Sequence, residues 1–298
     1  MDVAVSGSHG FVGSALVPAL TAAGHTVRRL VRGTAAVGEV AWDPDGGTID
    51  DARLEGVDAV VHLGGVGIGD KRWTAEQKER IRSSRVRGTA VLAKALAALP
   101  TPPRVLVSGS AVGYYGDRGE AILTEESAPG HGFLADVVRA WEDATAPAAQ
   151  AGVRVVNLRS GIVQSPAGSA LKKQLPLFKL GLGGPLGNGK QWVSWITLDD
   201  EVAAILHLLG DDSIEGPVNA TAPEPVTSAE LAIAVGRALH RPAVLPVPKA
   251  ALRLVMGSQM VDEMLTASQR AVPTKLQAAG FTFRHPSIQA AMAALLGR

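Results

Sequence analysis

The residues best suited to acid–base chemistry lie in one short stretch, SGSAVGYYGD, over residues 108–117. It contains both tyrosines of the 298-residue chain, Tyr114 and Tyr115, together with Ser108 and Ser110. A tyrosine hydroxyl can donate or accept a proton at a substrate oxygen, and a serine hydroxyl can hold that oxygen by a hydrogen bond. Ser110, Tyr114 and Tyr115 are therefore candidate catalytic groups. The alternative is that the two rings pack in an ordinary loop.

A second pattern, SGSHGFVG, follows the first apolar run and places Gly7, Gly10 and Gly13 in the spacing G-x-x-G-x-x-G. A glycine at a strand end permits a tight turn, and a second glycine lets a pyrophosphate approach the backbone at a helix N-terminus. The context of strand, turn and helix predicts a dinucleotide site. A purely structural turn without a ligand is the alternative.

The residue at the end of the second predicted strand bears on the type of dinucleotide. NAD sites usually place an acid there for the ribose 2′-hydroxyl, whereas this chain has Arg32 in LVRG. A guanidinium can bind a 2′-phosphate through two hydrogen bonds, which favours NADP(H). Because Arg28 and Arg29 make the region basic, a solvated arginine is the alternative.

Short β-rich runs alternate with helical stretches over the first 165 residues, which predicts a parallel sheet with right-handed crossovers. The predicted strands are 2–7, 26–32, 39–43, 57–65, 104–110 and 153–159, and the predicted helices are 11–25, 74–99 and 133–152. Further along, the pattern predicts a loop over 181–191, a helix from near Asp199 and a late strand at 216–221. The remainder, 222–298, predicts a small and mostly helical cap.

Composition excludes several classes of function. The chain has no cysteine, so disulfides, thiolate nucleophiles and cysteine-based zinc sites are excluded, and no metal site is predicted. The net charge of +1 argues against an electrostatic nucleic-acid binder. No uncharged apolar run reaches about 20 residues and no signal peptide is visible, so we expect no membrane span and a cytoplasmic location.

Several segments resemble the extended short-chain dehydrogenase/reductases: the glycine turn, HLGG after the fourth strand and SGSAVGYYG after the fifth. More narrowly, the chain resembles the atypical epimerase family that includes the bacterial YfcH-type proteins and ends in a C-terminal domain of unknown function. This closer likeness rests on KRWTAEQKERIRSSR, LRSGIV, LFKLGLGGPLGNGKQ, WITLDD and LHRPAVLPVP, spread over almost the whole length.

The resemblance implies an NADP(H)-binding protein and a set of cofactor contacts. Carried over position by position, these contacts are the glycine turn, Arg32, the end of the fourth strand, the long helix and the segment after RSG. They comprise Gly7, Gly10, Phe11, Val12, Gly13, Arg32, Leu63, Glu79, Arg85 and Val163.

The resemblance also implies a catalytic tyrosine with a lysine four residues later at the start of the helix at 133–152. Aligning that helix on Trp141-Glu142 places Leu134 and Val138 at these positions, and neither can move a proton. We therefore expect the chain to lack the standard YxxxK pair. Arg85 replaces the asparagine usual before GT and adds a cation near the predicted cofactor.

Of three other candidates, two have simpler structural explanations. His62 ends the fourth strand, but no second histidine shows ligand spacing, so a core histidine is favoured. Asp199 and Asp200 precede an apolar helix, where capping is the favoured role. Lys190 and the glycine-rich loop around it could admit an anion through backbone N–H groups.

The sequence thus predicts an α/β protein, with a doubly wound Rossmann parallel sheet and a small, mainly helical C-terminal cap. The predicted NADP-binding domain comprises 1–165 and about 191–221, and the predicted substrate domain comprises 166–190 and 222–298. The favoured function is an oxidoreductase or epimerase-like protein acting on an unidentified small molecule. The alternative is a catalytically silent NADP-binding regulator. We expect no nucleic-acid or membrane partner. The sequence is compatible with a homodimer.

Overall fold

The computed structural model of the protein describes residues 1–297, except for the side chain of Ser169. Its strands, mostly short and apolar, are β1 (Asp2–Ser6), β2 (Thr26–Val31), β3 (Glu39–Asp43), β4 (Thr48–Ile49), β5 (Ala59–His62), β6 (Val105–Ala111), β7 (Ile122–Leu123), β8 (Arg154–Ser160), β9 (Ile162–Gln164), β10 (Trp192–Val193), β11 (Trp195–Thr197), β12 (Gly216–Ala220), β13 (Val226–Thr227) and β14 (Arg270–Ala271).

Within residues 1–297 the helices range in length from three residues to 24 residues. They are α1 (Gly13–Ala22), α2 (Ala75–Ala98), α3 (Phe133–Asp143), α4 (Ala146–Gln150), α5 (Ser169–Lys179), α6 (Leu198–Gly210), α7 (Ser228–Ala238), α8 (Lys249–Met256), α9 (Ser258–Met260), α10 (Thr274–Ala278) and α11 (Ile288–Leu296). Two 3₁₀ turns, Asp51–Arg53 and Val112–Tyr115, and a π-helical turn, Val261–Leu265, complete the set.

Eight strands form the main sheet in the order β12-β8-β6-β5-β1-β2-β3-β4. All neighbours are parallel except β3 and β4. The chain builds outward from β1 through β2 and β3, and then continues from β5 on the other side of β1. The direction of winding therefore reverses between β1 and β5, the switch point at which open α/β sheets bind ligands. The predicted doubly wound Rossmann fold is confirmed.

Both faces of the sheet are covered because successive side chains along a strand point to opposite faces. Val3 and Val5 join a core cluster with Leu16 of α1 and Ile205 of α6. The residue between them, Ala4, belongs to the opposite cluster, whose members include α2 side chains. This explains why the central strands are almost continuously apolar.

A third cluster lies in the C-terminal part of the chain. Helices α5, α7 and α11 pack around the fully buried Trp195, whose indole N–H donates to the Glu224 carbonyl at 2.9 Å. Buried side chains of this cluster include Ala232 and Val235 of α7 and Ile288 and Met292 of α11. The predicted helical cap is confirmed. The division into two domains at the residues proposed above remains a prediction.

The structure corrects two predicted elements. The helix expected over 133–152 is two helices, because the chain turns at Ala144 and Thr145, and Pro147 in the first turn of α4 has no N–H to continue a longer helix. The fourth strand ends at His62 rather than residue 65. Leu63 and the glycines after it form a loop above the sheet.

The start of α6 differs from the predicted capping by an aspartate. Thr197 is the N-cap residue, and its hydroxyl oxygen accepts from the Asp200 N–H at 3.2 Å. The carboxylate of Asp200 instead accepts from the backbone N–H groups of Arg284, at 2.7 Å, and His285, at 3.0 Å. It therefore attaches the segment before α11 to the start of α6.

Glu201 in the same turn predicts an unusual dependence of stability on pH. Burial raises the pKa of this carboxyl to about 7, against the opposing effect of a hydrogen bond from Ser160. Below pH 4.5, the ordinary pKa of a glutamate side chain, the protonated Glu201 contributes fully to the free energy of unfolding. This contribution is lost as the pH rises through about 7, the pKa in the folded protein. Urea unfolding should show Glu201→Gln gaining about 3 kcal/mol relative to the wild type between about pH 4 and about pH 8.

The hydroxyl of Ser160 provides the matched variant. Because its hydrogen bond lowers the Glu201 pKa, Ser160→Ala should move the loss of stability to higher pH. A difference in stability between the wild type and Glu201→Gln that does not change with pH would contradict a buried, protonated Glu201.

Candidate functional site

The glycine turn lies at the switch point and is built from close backbone contacts. Gly7 has a φ of +67°, and a Cβ there would lie 2.7 Å from the Leu63 carbonyl oxygen. The Gly10 N–H donates to the Gly7 oxygen at 2.8 Å, and a Cβ on Gly13 would lie only 2.2 Å from that oxygen. Side chains are excluded at Gly7 and Gly13, so backbone atoms form the surface at the start of α1.

A cleft of about 340 Å³ opens over this turn. Its walls come from the ends of β1, β2 and β3 and from the loop after β5: Gly7, Ser8, His9, Gly10, Leu30, Val31, Arg32, Trp42, Gly64 and Gly65. Helix α1 has no acidic residue in its first turn, so the partial positive charge of its N-terminus is not neutralised there. Bare backbone, a helix N-terminus and an open cleft fit the pyrophosphate of a dinucleotide.

Arg32 is exposed at the rim of this cleft, and it also lines a neighbouring cleft of about 590 Å³ together with Trp42, Asp43 and Asp50. Arg28, four residues earlier, is instead bound to Asp2, with its Nε 2.9 Å from the carboxylate. Sequence reasoning missed Trp42, Ser8 and His9. The position of Trp42 near the carboxyl end of a predicted strand was the available signal.

A buried pair fixes the two strand ends that carry the turn. The Oγ of Ser6, at the end of β1, lies 2.6 Å from Nδ1 of His62, at the end of β5, and accepts from the Leu63 N–H at 3.2 Å. Burial lowers the pKa of His62 to about 4, so the imidazole is neutral. Its ring meets Trp42 edge-on at 5.8 Å between centroids. His62 is thus a core residue that positions the cleft.

Arg85 lies beneath the loop after β5. Its guanidinium donates to the carbonyls of Val66 at 2.9 Å and Ile81 at 3.2 Å, and it lies over the Trp141 ring at 5.1 Å. Burial lowers the pKa of Arg85 to about 10, so it is still a cation at neutral pH. In this structure the Arg85 guanidinium holds the loop at Gly65 and Val66, through its hydrogen bond to Val66 and its contact with Gly65.

The structure does not gather the other predicted cofactor contacts into the cleft. Leu63 borders it through the backbone beside Gly7. Phe11 and Val12 pack partly against the core, and Val163 is buried in that core. Glu79 is exposed on α2. Contacts from the buried members to a ligand would have to use backbone atoms.

Ser110 belongs to a buried polar network. Its hydroxyl donates to Oε1 of Glu142 on α3 at 2.6 Å. Arg159 on β8 donates to both carboxylate oxygens of Glu142 at 2.8 Å, and its side chain is only 3% exposed. Burial alone would lower the pKa of Arg159, but the hydrogen bonds and charge of Glu142 raise it above its usual value. Sequence reasoning used Glu142 only to align the helix and missed Arg159.

The two tyrosines have different environments. Tyr115 is completely buried, and its hydroxyl donates to Asn219 at 2.7 Å and accepts from Arg159 at 3.1 Å. Burial raises the pKa of Tyr115 above its usual value despite the nearby Arg159. Tyr114 is partly exposed, with the Arg159 guanidinium 3.5 Å from its ring centroid, and within residues 1–297 its hydroxyl has no hydrogen-bond partner. Of the two tyrosine hydroxyls, that of Tyr114 is therefore the one left unengaged by the described residues.

Leu134 and Val138 are buried on α3, where they face the 3₁₀ turn that carries the tyrosines. A Cβ on Gly113 would lie 3.7 Å from Leu134 and 3.8 Å from Val138. The N-terminus of α3 has no local cap, and its Leu134 N–H donates to Glu263 of the π-helical turn at 2.9 Å. The C-terminal region therefore covers this end of α3.

Two family models match this chain. The family model described as the NAD dependent epimerase/dehydratase family matches residues 3–220, and a domain of unknown function, DUF1731, matches residues 247–295. The chain belongs to the NAD dependent epimerase/dehydratase family. Relatives within it include epimerase family protein Mb2239 of Mycobacterium bovis, 46% identical over 97% of this chain and 96% of its own length. The human epimerase family protein SDR39U1 is 35% identical over 98% of both chains.

Solved structures agree with this assignment. The crystal structure of human epimerase family protein SDR39U1 (isoform 2) with NADPH matches with a TM-score of 0.91 at 33% identity, covering 99% of both chains. MoeE5 in complex with UDP-glucose and NAD shares the fold, with a TM-score of 0.76 at 21% identity over 99% of this chain and 97% of its own.

Within residues 1–297, no three or more His, Asp or Glu side chains are grouped so that they could hold a metal ion. No helix in that range combines the length and apolar character needed to cross a bilayer.

The Glu142–Arg159 pair predicts a large loss of stability when its charge balance is broken. Glu142→Gln leaves the buried Arg159 guanidinium without a countercharge, so thermal or urea unfolding should show a loss of about 3–5 kcal/mol. Asp136 and Arg139 form an exposed ion pair on the same helix and supply the control. Asp136→Asn should cost about 1 kcal/mol or less. Equal losses in the two variants would contradict the structural role of the buried pair.

Proposed function

We propose that this member of the epimerase family binds NADP(H) and acts as an oxidoreductase or epimerase-like enzyme on a small molecule, without a standard YxxxK pair. The observation that carries the proposal is the glycine turn, placed at the switch point under an open cleft with Arg32 at its rim. The NADPH bound by human SDR39U1, whose fold extends over the whole chain, supports the same cofactor.

The preference for NADP(H) over NAD(H) rests on charge at the end of β2. The side chain there is the exposed Arg32, and the nearest acids of the neighbouring cleft, Asp43 and Asp50, come from β3 and the turn after β4. A guanidinium in this position attracts a 2′-phosphate, whereas an acid at the end of β2 would repel it. The backbone N–H groups at the start of α1 would hold the pyrophosphate.

A bound nicotinamide would supply or accept a hydride. The chain must then exchange a proton at the substrate oxygen, and Tyr114 is the tyrosine whose hydroxyl is unengaged within residues 1–297. The proton of Ser110 is committed to Glu142, so Ser110 Oγ can accept a hydrogen bond from a substrate hydroxyl. We assign the proton transfer to Tyr114 and the orientation of the substrate to Ser110.

The absence of a YxxxK pair is supported by the sequence around both tyrosines. The residues four positions after Tyr114 and Tyr115 are Arg118 and Gly119, and the positions that the family resemblance assigns to the pair hold Leu134 and Val138. Both of the latter are buried apolar side chains. This packing favours a second candidate function, an NADP(H)-binding regulator that performs no turnover.

The cofactor preference is tested at Arg32. Titration calorimetry should show tighter binding of NADPH than NADH, by about 10- to 150-fold for one charged hydrogen-bonding group. Arg32→Ala should lose this preference and retain NADH binding. Arg237→Ala removes one exposed arginine from α7 and should leave both affinities unchanged. Equal affinities of the wild type for the two cofactors would refute the role of Arg32.

Turnover distinguishes the two candidate functions. NADPH oxidation by purified protein should be screened against carbonyl compounds and sugar nucleotides. With an active substrate, Tyr114→Phe should lower kcat by about 100- to 10,000-fold, as expected for a general acid. Tyr115→Phe removes the same oxygen from the neighbouring ring and should mainly lower stability, because that hydroxyl is buried with Asn219 and Arg159.

These experiments give different results for an enzyme and for a regulator. Tight NADPH binding with no hydride transfer to any substrate would favour the regulator. Turnover that survives Tyr114→Phe would show that the proton comes from another group.

A further inference from the structure

Charge is distributed very unevenly along this chain. Residues 165–198 and 231–261 contain eight of the 29 basic residues and none of the 28 acidic ones. The other parts of the chain, with 21 basic and 28 acidic residues, carry a net charge of −7. The basic residues are Lys172, Lys173, Lys179, Lys190, Arg237, Arg241, Lys249 and Arg253.

The two acid-free segments meet in the fold. Arg241 Nε donates to the Lys179 carbonyl at 3.1 Å, and the Val247 N–H donates to the Pro185 carbonyl at 2.9 Å. The Gly187 N–H returns a bond to the Val247 carbonyl at 2.9 Å. Helix α8 begins at Lys249, immediately after this junction. We call residues 177–187 together with 241–255 the basic apolar surface.

Most of the eight cations lack an acidic partner. Lys173 pairs with Asp70 at 3.4 Å, and both Lys249 and Arg253 pair with Asp262 at 2.8 Å. The other five form no ion pair within residues 1–297 and are exposed: Lys172, Lys179, Lys190, Arg237 and Arg241. Two of these five cations, Lys179 and Arg241, belong to the basic apolar surface itself, and the Arg241 side chain contacts the Lys179 carbonyl.

Large apolar side chains are exposed in the same segments. Of the ten most exposed ones within residues 1–297, eight lie in the two acid-free segments. Leu180 is 72% exposed in the turn after α5, and Val244 is 74% exposed in the segment between α7 and α8. On α8, Leu254 and Val255 are exposed by 80% and 75%, and Ala250 and Ala251, one turn earlier, are exposed too. Spacing of four residues puts them on one helix face.

Although the composition led us to expect no membrane partner, we infer from this combination that the basic apolar surface docks on an anionic phospholipid bilayer. Exposed cations attract acidic headgroups, and apolar side chains that protrude from turns and from one helix face can enter the headgroup region. Such contact does not require a transmembrane span, and no helix within residues 1–297 is long and apolar enough to form one.

Two other occupants fit the surface less well. A second copy docking through the same surface would bring like charges together, which disfavours such a dimer. A peptide partner would need a groove, but side chains exposed by more than 70% do not line one.

Vesicle sedimentation tests the inference with the full chain. The protein should bind vesicles containing phosphatidylglycerol and fail to bind pure phosphatidylcholine vesicles, and added salt should weaken binding. Lys172→Gln/Lys179→Gln should weaken binding by about 30-fold, from the contribution of each basic residue near an anionic surface. Leu180→Ser/Leu182→Ser should weaken it by about tenfold or more.

Matched controls lie elsewhere on the protein. Arg87→Gln/Lys94→Gln removes two exposed charges from α2, and Val37→Ser removes a fully exposed apolar side chain, so both variants should bind as the wild type does. Three results would overturn the inference: no binding to anionic vesicles, binding unaffected by the leucine substitutions, or retention on an acidic polypeptide without binding to vesicles. A dimer in ultracentrifugation that Leu180→Ser/Leu182→Ser dissociates would also overturn it.

Discussion

The buried ion pair between Arg159 and Glu142 organises the half of the site that faces the C-terminal region. A guanidinium that is almost fully buried is tolerable only when its charge and its donors are satisfied. Glu142 satisfies it through two hydrogen bonds, and Tyr115 accepts another. Tyr115 in turn donates to Asn219, whose side-chain amide donates to the Val272 carbonyl at 2.9 Å. One network thus connects β8, α3, the 3₁₀ turn, β12 and the C-terminal region.

The two halves of the site are built by different physical means. Around the glycine turn the surface consists of backbone, and close contacts of Gly7 and Gly13 exclude side chains. Such a surface offers N–H groups and a helix N-terminus to phosphates, whatever the substrate. Around Ser110 and Tyr114 the surface consists of side chains held by the Arg159 network. Under the proposed function, substitutions in this second half would alter the chemistry and leave the glycine turn unchanged.

The C-terminal region has two faces with different roles. Its inner residues contact the rest of the fold. Glu263 caps α3, and the backbone N–H groups of Arg284 and His285 donate to Asp200 of α6. Its outer residues form the basic apolar surface. Because Lys249 and Arg253 on α8 pair with Asp262, next to Glu263, the helix on the outside is connected to the residue that caps α3 on the inside. The adjacent residues Asp262 and Glu263 thus contact the outer helix α8 and the start of α3, respectively.

The sequence alone determined the Rossmann architecture, because strand and helix periodicity, the glycine turn and the alternation of elements all depend on local spacing. It also showed that both tyrosines lie in the stretch at 108–117 and that residue 134 is a leucine, while the catalytic role of that stretch stays a prediction. It could not decide which of Tyr114 and Tyr115 is buried, since adjacent residues in a 3₁₀ turn point in different directions and only Asn219 and Arg159, distant in sequence, engage one of them. Tertiary structure likewise decided that Arg85 supports a loop and that Trp42 lines the cleft. The excess of basic residues in the two acid-free segments was readable from the sequence, but only the fold showed that these segments meet and expose apolar side chains.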